Sequence, residues 1–201
     1  GVIGPGDVQW MTAASGVVHE ELHEQEFAKK GGLLEGVQLW VNLPKAYKMT
    51  TPRYQTLLNS DIPTVELDGG AGQLRVIAGE FRGVAGPAKT FSPVHLYDLH
   101  LTAGHRMELD LPEGFNSSLF VLHGQVVVNG SQTVDEVRIG LLGQRGERVV
   151  LEAKQDATIL VLSGQPIAEP IARYGPFVMN TRDEIIQAVQ DYQAGKMGHL
   201  S

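Results

Sequence analysis

The chain has 201 residues, 42% of them hydrophobic, with a formal net charge of -7 and no cysteine. That length suits one large domain or two small ones, and the apolar share excludes a disordered chain. The acidic balance, with no cationic run longer than Lys29-Lys30, argues against direct binding to nucleic acid. Without cysteine there are no disulfides and no thiolate zinc site, which fits a reducing compartment. No apolar stretch approaches the roughly 20 residues that cross a bilayer, and no signal peptide is visible. The expectation is a soluble protein with no membrane partner, cytoplasmic, or nuclear in a eukaryote.

The chain opens on a Gly-Pro-Gly-Asp turn at Gly4 to Asp7 and continues into two short predicted strands, Val8 to Thr12 and Val17 to Leu22. Proline removes a donor and a strand follows, so this turn is no phosphate cradle. In a strand, side chains alternate faces, so His19 and Glu21 point to the same side. An imidazole and a carboxylate so placed are two ready ligands for a divalent transition metal such as iron, manganese or nickel. The plainer alternative is a solvated acidic edge, since Glu20, Glu21, Glu24 and Glu26 crowd the same region. Trp10 and Met11 are expected on adjacent strands beside this one, one lining its pocket and the other in the core.

His23 to Gly36 reads as a polar loop whose glycines argue against a helix. Val37 to Leu43 alternates Val37, Leu39, Val41 and Leu43 on one face, a strand pattern with Trp40 opposite and Pro44 as its stop. Thr51-Pro52 then reads as a helix start, with Tyr54, Leu57 and Leu58 as an apolar stripe. That helix, over Pro52 to Leu58, is placed at a domain boundary near Ser60.

From Thr64 the chain is dense in short strands: Thr64 to Leu67, Gln73 to Ala78, Val94 to Thr102, Met107 to Leu111, Ser118 to Leu122, Gln125 to Asn129, Arg148 to Ala153 and Thr158 to Ser163. Glycine pairs and Gly-Pro steps separate most of them, which suggests a closed antiparallel barrel or jelly roll. Phe120 to Val128 is read as a tight hairpin turning at His123-Gly124. His105 and His123 are expected in exposed turns, and His95 and His100 fall on opposite faces of their strand, so this barrel is expected to be metal-free. A last helix is predicted over Thr181 to Ala194. Thr181 and Glu184 form its capping box, Ile185, Val189 and Tyr192 its apolar stripe, and Gly195 its terminator.

Three blocks carry a family resemblance: Gly4 to Ala13 (GPGDVQWMTA) with His19-Glu20-Glu21, Val37 to Leu43 (VQLWVNL), and Gly175 to Thr181 (GPFVMNT). They resemble the pirin family, in the family's order and over nearly the whole chain. The resemblance implies an all-β fold of two cupin (jelly-roll) barrels, with short helices at the junction and the C-terminus. It assigns 1–60 to the first barrel, incomplete and carrying the metal strand, and 61–201 to a metal-free second barrel ending in a helix. It also implies one iron in the first barrel, held by three histidines and one glutamate, with His19 the third histidine and Glu21 the carboxylate. The other two histidines belong to an upstream His-x-His motif in a segment this sequence does not contain. Gly1 then falls inside the first barrel, and the chain alone is expected to hold little or no iron.

Two functions of different classes follow from the resemblance. One is iron-dependent, quercetin 2,3-dioxygenase-type oxidation of a flavonol, with Glu21 as a ligand or as the base that takes the substrate hydroxyl proton. The other is a redox-sensitive transcriptional co-regulator acting through protein partners. An inactive fragment is a third reading.

Overall fold

The computed structural model describes residues 1–200. In chain order its elements are β1 (Val8–Thr12), α1 (Gln25–Lys30), β2 (Arg53–Leu57), β3 (Thr64–Glu66), β4 (Gly72–Ala78), β5 (Glu80–Phe81), β6 (Val84–Ala85), β7 (Val94–Leu101), β8 (Arg106–Asp110), β9 (Asn116–His123), β10 (Gln125–Val128), β11 (Gln132–Asp135), β12 (Arg138–Leu141), β13 (Arg148–Ala153), β14 (Ala157–Gly164), β15 (Ala172–Tyr174), β16 (Phe177–Met179) and α2 (Arg182–Gln193). The fold is mainly β, as expected. No helix among the described residues is long and apolar enough to cross a membrane.

The chain divides into two compact units, 57–166 on one hand and 1–56 with 167–201 on the other. This differs from the expected division into 1–60 and 61–201. The segment after Pro166 groups with the N-terminal residues because its hydrogen bonds go there: Lys45 N donates to Glu169 Oε2 at 2.8 Å, and the Lys48 ammonium donates to Val178 O at 3.2 Å.

The 57–166 unit is built from two large sheets and the short β5-β6 pair. One large sheet has the order β11-β10-β13-β8, and the other β12-β9-β14-β7-β4-β3. Alternation along each strand sends one set of side chains into the space enclosed. On β7, Tyr97, Leu99 and Leu101 are almost wholly buried, and Leu109, Leu119, Val121, Val126, Leu151, Ile159 and Val161 meet them from the other strands. The expected strands recur here within one or two residues, because apolar alternation and burial agree. Sequence reading did not identify β5, β6, β11 and β12, which are only two to four residues long.

One expectation in this unit is overturned. Phe120 to Val128 is not a hairpin: β9 pairs with β14 and β12, whereas β10 pairs with β11 and β13. Gly124 is a corner between sheets. It lies at φ +83°, and a Cβ there would come within 2.2 Å of Asp156 O, so only glycine can make the turn.

The other unit is less regular, and four expectations fail in it. The predicted Pro52–Leu58 helix is strand β2, paired with β1. Of its supposed apolar stripe only Leu57 is buried, with Tyr54 and Leu58 each 44% exposed, and backbone pairing with β1 decides the outcome. Val17 to Leu22 forms no strand. Neither does Val37 to Leu43, where Val37, Trp40 and Val41 are all exposed. An alternating pattern becomes a strand only when a neighbour supplies ladder bonds, and none among the described residues does so. Within the supposed loop, α1 forms because Glu24 Oε2 accepts from Phe27 N at 2.9 Å, while Gly31, at φ +69°, ends the helix instead of preventing it.

The C-terminal helix is as expected. Thr181 Oγ1 accepts from Glu184 N, the Glu184 carboxylate accepts from Thr181 N, and α2 runs Arg182–Gln193 with Ile185 buried. It packs on the β15-β16 hairpin, with the Tyr192 and Phe177 rings 6.2 Å apart.

Candidate metal centre

The segment leading to His19 is held by backbone bonds to three parts of the same unit. Ser15 N donates to Thr50 O at 3.1 Å, Gly16 N to Ala13 O at 2.8 Å, and Val18 N to Met197 O at 2.9 Å. Gly16 sits at φ +117°, and a Cβ there would lie 2.5 Å from the Met197 side chain. Glycine is what lets the C-terminal residues come close enough to fasten this segment. The strap replaces the ladder that a strand would have provided.

Beyond the strap, His19 Nε2 and Glu21 Oε1 face each other at 3.9 Å, with the side chains 44% and 59% exposed. Two donors on one transition ion, each about 2.1 Å from it, can be at most about 4.2 Å apart. The pair therefore fits one shared cation, and an imidazole with a carboxylate is the donor chemistry that iron-group ions accept. The spacing argument assumed a strand that does not form, so the approach of these two side chains is a finding of the structure and not of their spacing.

Two donors are not a complete site. Among the described residues no group of three or more histidine or carboxylate side chains converges on one point. His23 does not join the pair. Its ring packs edge-on against Phe27 at 5.9 Å, inside the turn that starts α1. Trp10 and Met11 both lie on β1 rather than on adjacent strands, and neither is buried in a core.

Histidines of the other unit lie apart from each other. His95 faces the barrel interior, where its Nδ1 is 2.6 Å from the Tyr97 hydroxyl, and that hydroxyl donates to Glu80 O at 2.5 Å. The Tyr97 proton is thereby committed, so His95 Nδ1 carries the proton donated to it. Burial pushes the His95 pKa down and the Tyr97 pKa far up. His100 lies on the opposite face, 3.2 Å from Asp98 Oδ1. His105 sits in a turn, and exposed His123 lies 3.8 Å from Glu136. Sequence reading missed Asp98 and Arg75 as partners, because the pairing of β4 with β7 that joins them is a long-range fact.

Comparison with known proteins identifies the family and the fold. Residues 96–198 match the family description "Pirin C-terminal cupin domain", and residues 1–41 match "Pirin". A Pseudomonas aeruginosa protein named, provisionally, as a quercetin 2,3-dioxygenase is 54% identical over 98% of this chain and 68% of its own length. A rat protein named pirin is 35% identical over 98% of this chain and 67% of its own. A crystal structure of quercetin 2,3-dioxygenase from Acinetobacter baumannii superposes with a TM-score of 0.96 at 48% identity, covering 99% of this chain and 69% of that one. The cupin-type fold follows from that superposition, and the chain belongs to the pirin family.

Proposed function

We propose that the protein is a metal-binding pirin that oxidises a flavonol with molecular oxygen, His19 and Glu21 supplying two of the metal's ligands. The observation that carries this reading is the convergence of His19 Nε2 and Glu21 Oε1 to 3.9 Å in a chain whose relatives are named for that activity. Iron is the metal this reading favours. When bound, such an ion would act as a Lewis acid on substrate oxygens and make their hydroxyl protons easier to remove.

The chain's own residues supply the rest. His19 presents Nε2 toward the Glu21 carboxylate, 3.9 Å away. With two carboxylate oxygens, Glu21 can hold the cation with one and accept a hydroxyl proton from the substrate on the other. The strap through Ser15, Gly16 and Val18 fixes the direction of both. Further donors to such an ion would include water. The division into a metal-bearing first barrel and a metal-free second one belongs to the same proposal.

The test is metal content beside oxygen uptake. The 201-residue chain is expected to retain well under one equivalent of iron, since each missing ligand weakens binding by about tenfold or more. A chain extended upstream with a His-x-His segment should bind one metal and consume oxygen with quercetin. His19→Ala or Glu21→Gln should abolish both. Tight stoichiometric metal in the extended chain that survives either substitution would overturn the assignment.

A further inference from the structure

The 57–166 barrel has an open end of its own, far in sequence from His19 and Glu21. There the β8–β9 loop (111–115) meets the β12–β13 loop (142–147). Three hydrogen bonds join the two, Leu111 N to Glu147 O at 2.9 Å, Gly114 N to Gln144 O at 2.8 Å and Gly146 N to Glu113 Oε1 at 3.1 Å, and two more tie the second loop to the start of β9, Leu142 N to Ser117 O at 3.0 Å and Gln144 Nε2 to Asn116 Oδ1 at 2.7 Å. A mouth tied this way is preformed. Between the loops lies a cavity of about 90 Å³, walled by Leu111, Phe115, Leu142 and Val149, with Ser117 and Arg145 among its polar lining.

Of its polar side chains, Asn129 and Arg148 are spent on the protein, whereas Ser117 and Arg145 are not fully so. Ser117 Oγ lies 2.8 Å from Ser163 Oγ. Two hydroxyls carry two protons and the pair uses one, so the other has no acceptor among the described residues. Neighbouring Arg148 is neutralised by Asp110 at 2.9 Å and Glu108 at 3.0 Å. Arg145 has no such anion among the described residues, in a chain of net charge -7. Size then narrows the ligand: a cavity of about 150 Å³ is what holds a benzene ring, so this one takes something smaller.

We propose that this barrel mouth is a second binding site, specific for a short-chain hydroxy-carboxylate of about lactate size. Its carboxylate meets the Arg145 guanidinium at the rim, its carbon chain lies against Phe115 and Leu142, and its hydroxyl reaches the Ser117–Ser163 pair. Barrel mouths with a few convergent polar groups are among the places where small ligands are held. Neither metal nor the His19–Glu21 pair takes part.

The full chain, stripped of metal with EDTA, is titrated with lactate, propionate and 1,2-propanediol while backbone amide shifts are followed by NMR. Lactate should saturate shifts at Ser117, Gly143 and Arg145 at millimolar concentration. Propanediol, lacking the charge, should bind at least about tenfold more weakly. Arg145→Ala should reduce lactate binding to the propanediol level, and Ser117→Ala should reduce it to the propionate level. Both variants should keep the wild-type amide pattern elsewhere, and His19→Ala should bind lactate as wild type does. Absence of saturable shifts, equal affinity for the diol, an unaffected Arg145→Ala, or loss of binding in His19→Ala would each overturn the proposal.

Discussion

At the scale of single residues, the Arg75–Asp98–His100 cluster couples stability to pH. Arg75 donates to Asp98 Oδ2 at 2.7 Å, and His100 Nε2 lies 3.2 Å from Oδ1. Burial alone would raise the Asp98 pKa, but the nearby His100 ring and the hydrogen bond from Arg75 outweigh it and hold the carboxyl below its ordinary value. The nearby Asp98 carboxylate raises the His100 pKa, against burial. A lowered carboxylate contributes stability above its unfolded pKa and loses it on acidification through the folded one. A raised imidazole contributes below its unfolded pKa and loses it as pH rises through the folded one. The cluster is therefore most stabilising between the ordinary values, 3.8 for aspartate and 6.5 for histidine. Asp98→Asn should lower the melting temperature most in that window and flatten the decline toward pH 8. An equal loss at every pH would contradict the assignment. Because His100 is half-exposed, solvent screening should keep its share within about 1 kcal/mol.

Gly16 is the other residue-level test. Gly16→Val adds a branched side chain where φ is +117° and Met197 already fills the space. A loss of about 1–3 kcal/mol is expected, read as a lower urea midpoint by the fluorescence of Trp10 and Trp40. An unchanged midpoint would mean that the strap does not order this segment.

Among elements, α2 is the one whose start was most legible. Thr181, Glu184 and the apolar stripe are local in sequence, so the capping box formed as written. Thr181→Ala should cost about 1 kcal/mol, seen as fraying of Arg182 to Ile185 in amide exchange. The Glu184 carboxylate also accepts from Asn180 N at 2.9 Å, which ties the helix to the chain that precedes it. Strand β2 is the opposite case. Its five residues satisfy a helical stripe as well as an alternation, and only the presence of β1 settles the matter.

On the scale of the whole molecule, the two units are stabilised differently. The apolar cluster from Leu67 to Val161 lies entirely in 57–166. In 1–56 with 167–201, large apolar side chains such as Leu22, Leu33, Trp40, Ile171 and Tyr174 are exposed. Order there rests instead on a polar network. Buried Lys48 donates to Asn42 Oδ1 at 2.6 Å and to Val178 O at 3.2 Å, while Asn180 Nδ2 donates to Glu169 Oε2 at 3.0 Å. Burial pulls the Lys48 pKa down, against the attraction of Glu169 and Glu184. Leu151, fully buried in the barrel, tests the division. Leu151→Ala should destabilise 57–166 by about 2–5 kcal/mol, visible as loss of β circular dichroism. Both tryptophans lie in 1–56, so their fluorescence should change little at the same denaturant concentration. Coincident shifts of both signals would refute the separation.

What the sequence determined by itself is what is local or self-consistent. The longer barrel strands between Thr64 and Ser163 were legible because burial on one face enforces a period of two, and the α2 start because a capping box closes within four residues. The approach of His19 to Glu21 was not legible, because the strand that a spacing of two presupposes does not form. Tertiary structure decided the rest, because a strand exists only where a partner offers its donors and acceptors. It made Arg53 to Leu57 a strand, left Val17 to Leu22 and Val37 to Leu43 without one, and turned His123-Gly124 into a corner between sheets. It brought Arg75 to Asp98, and it closed two loops into a mouth whose polar groups no local pattern announces.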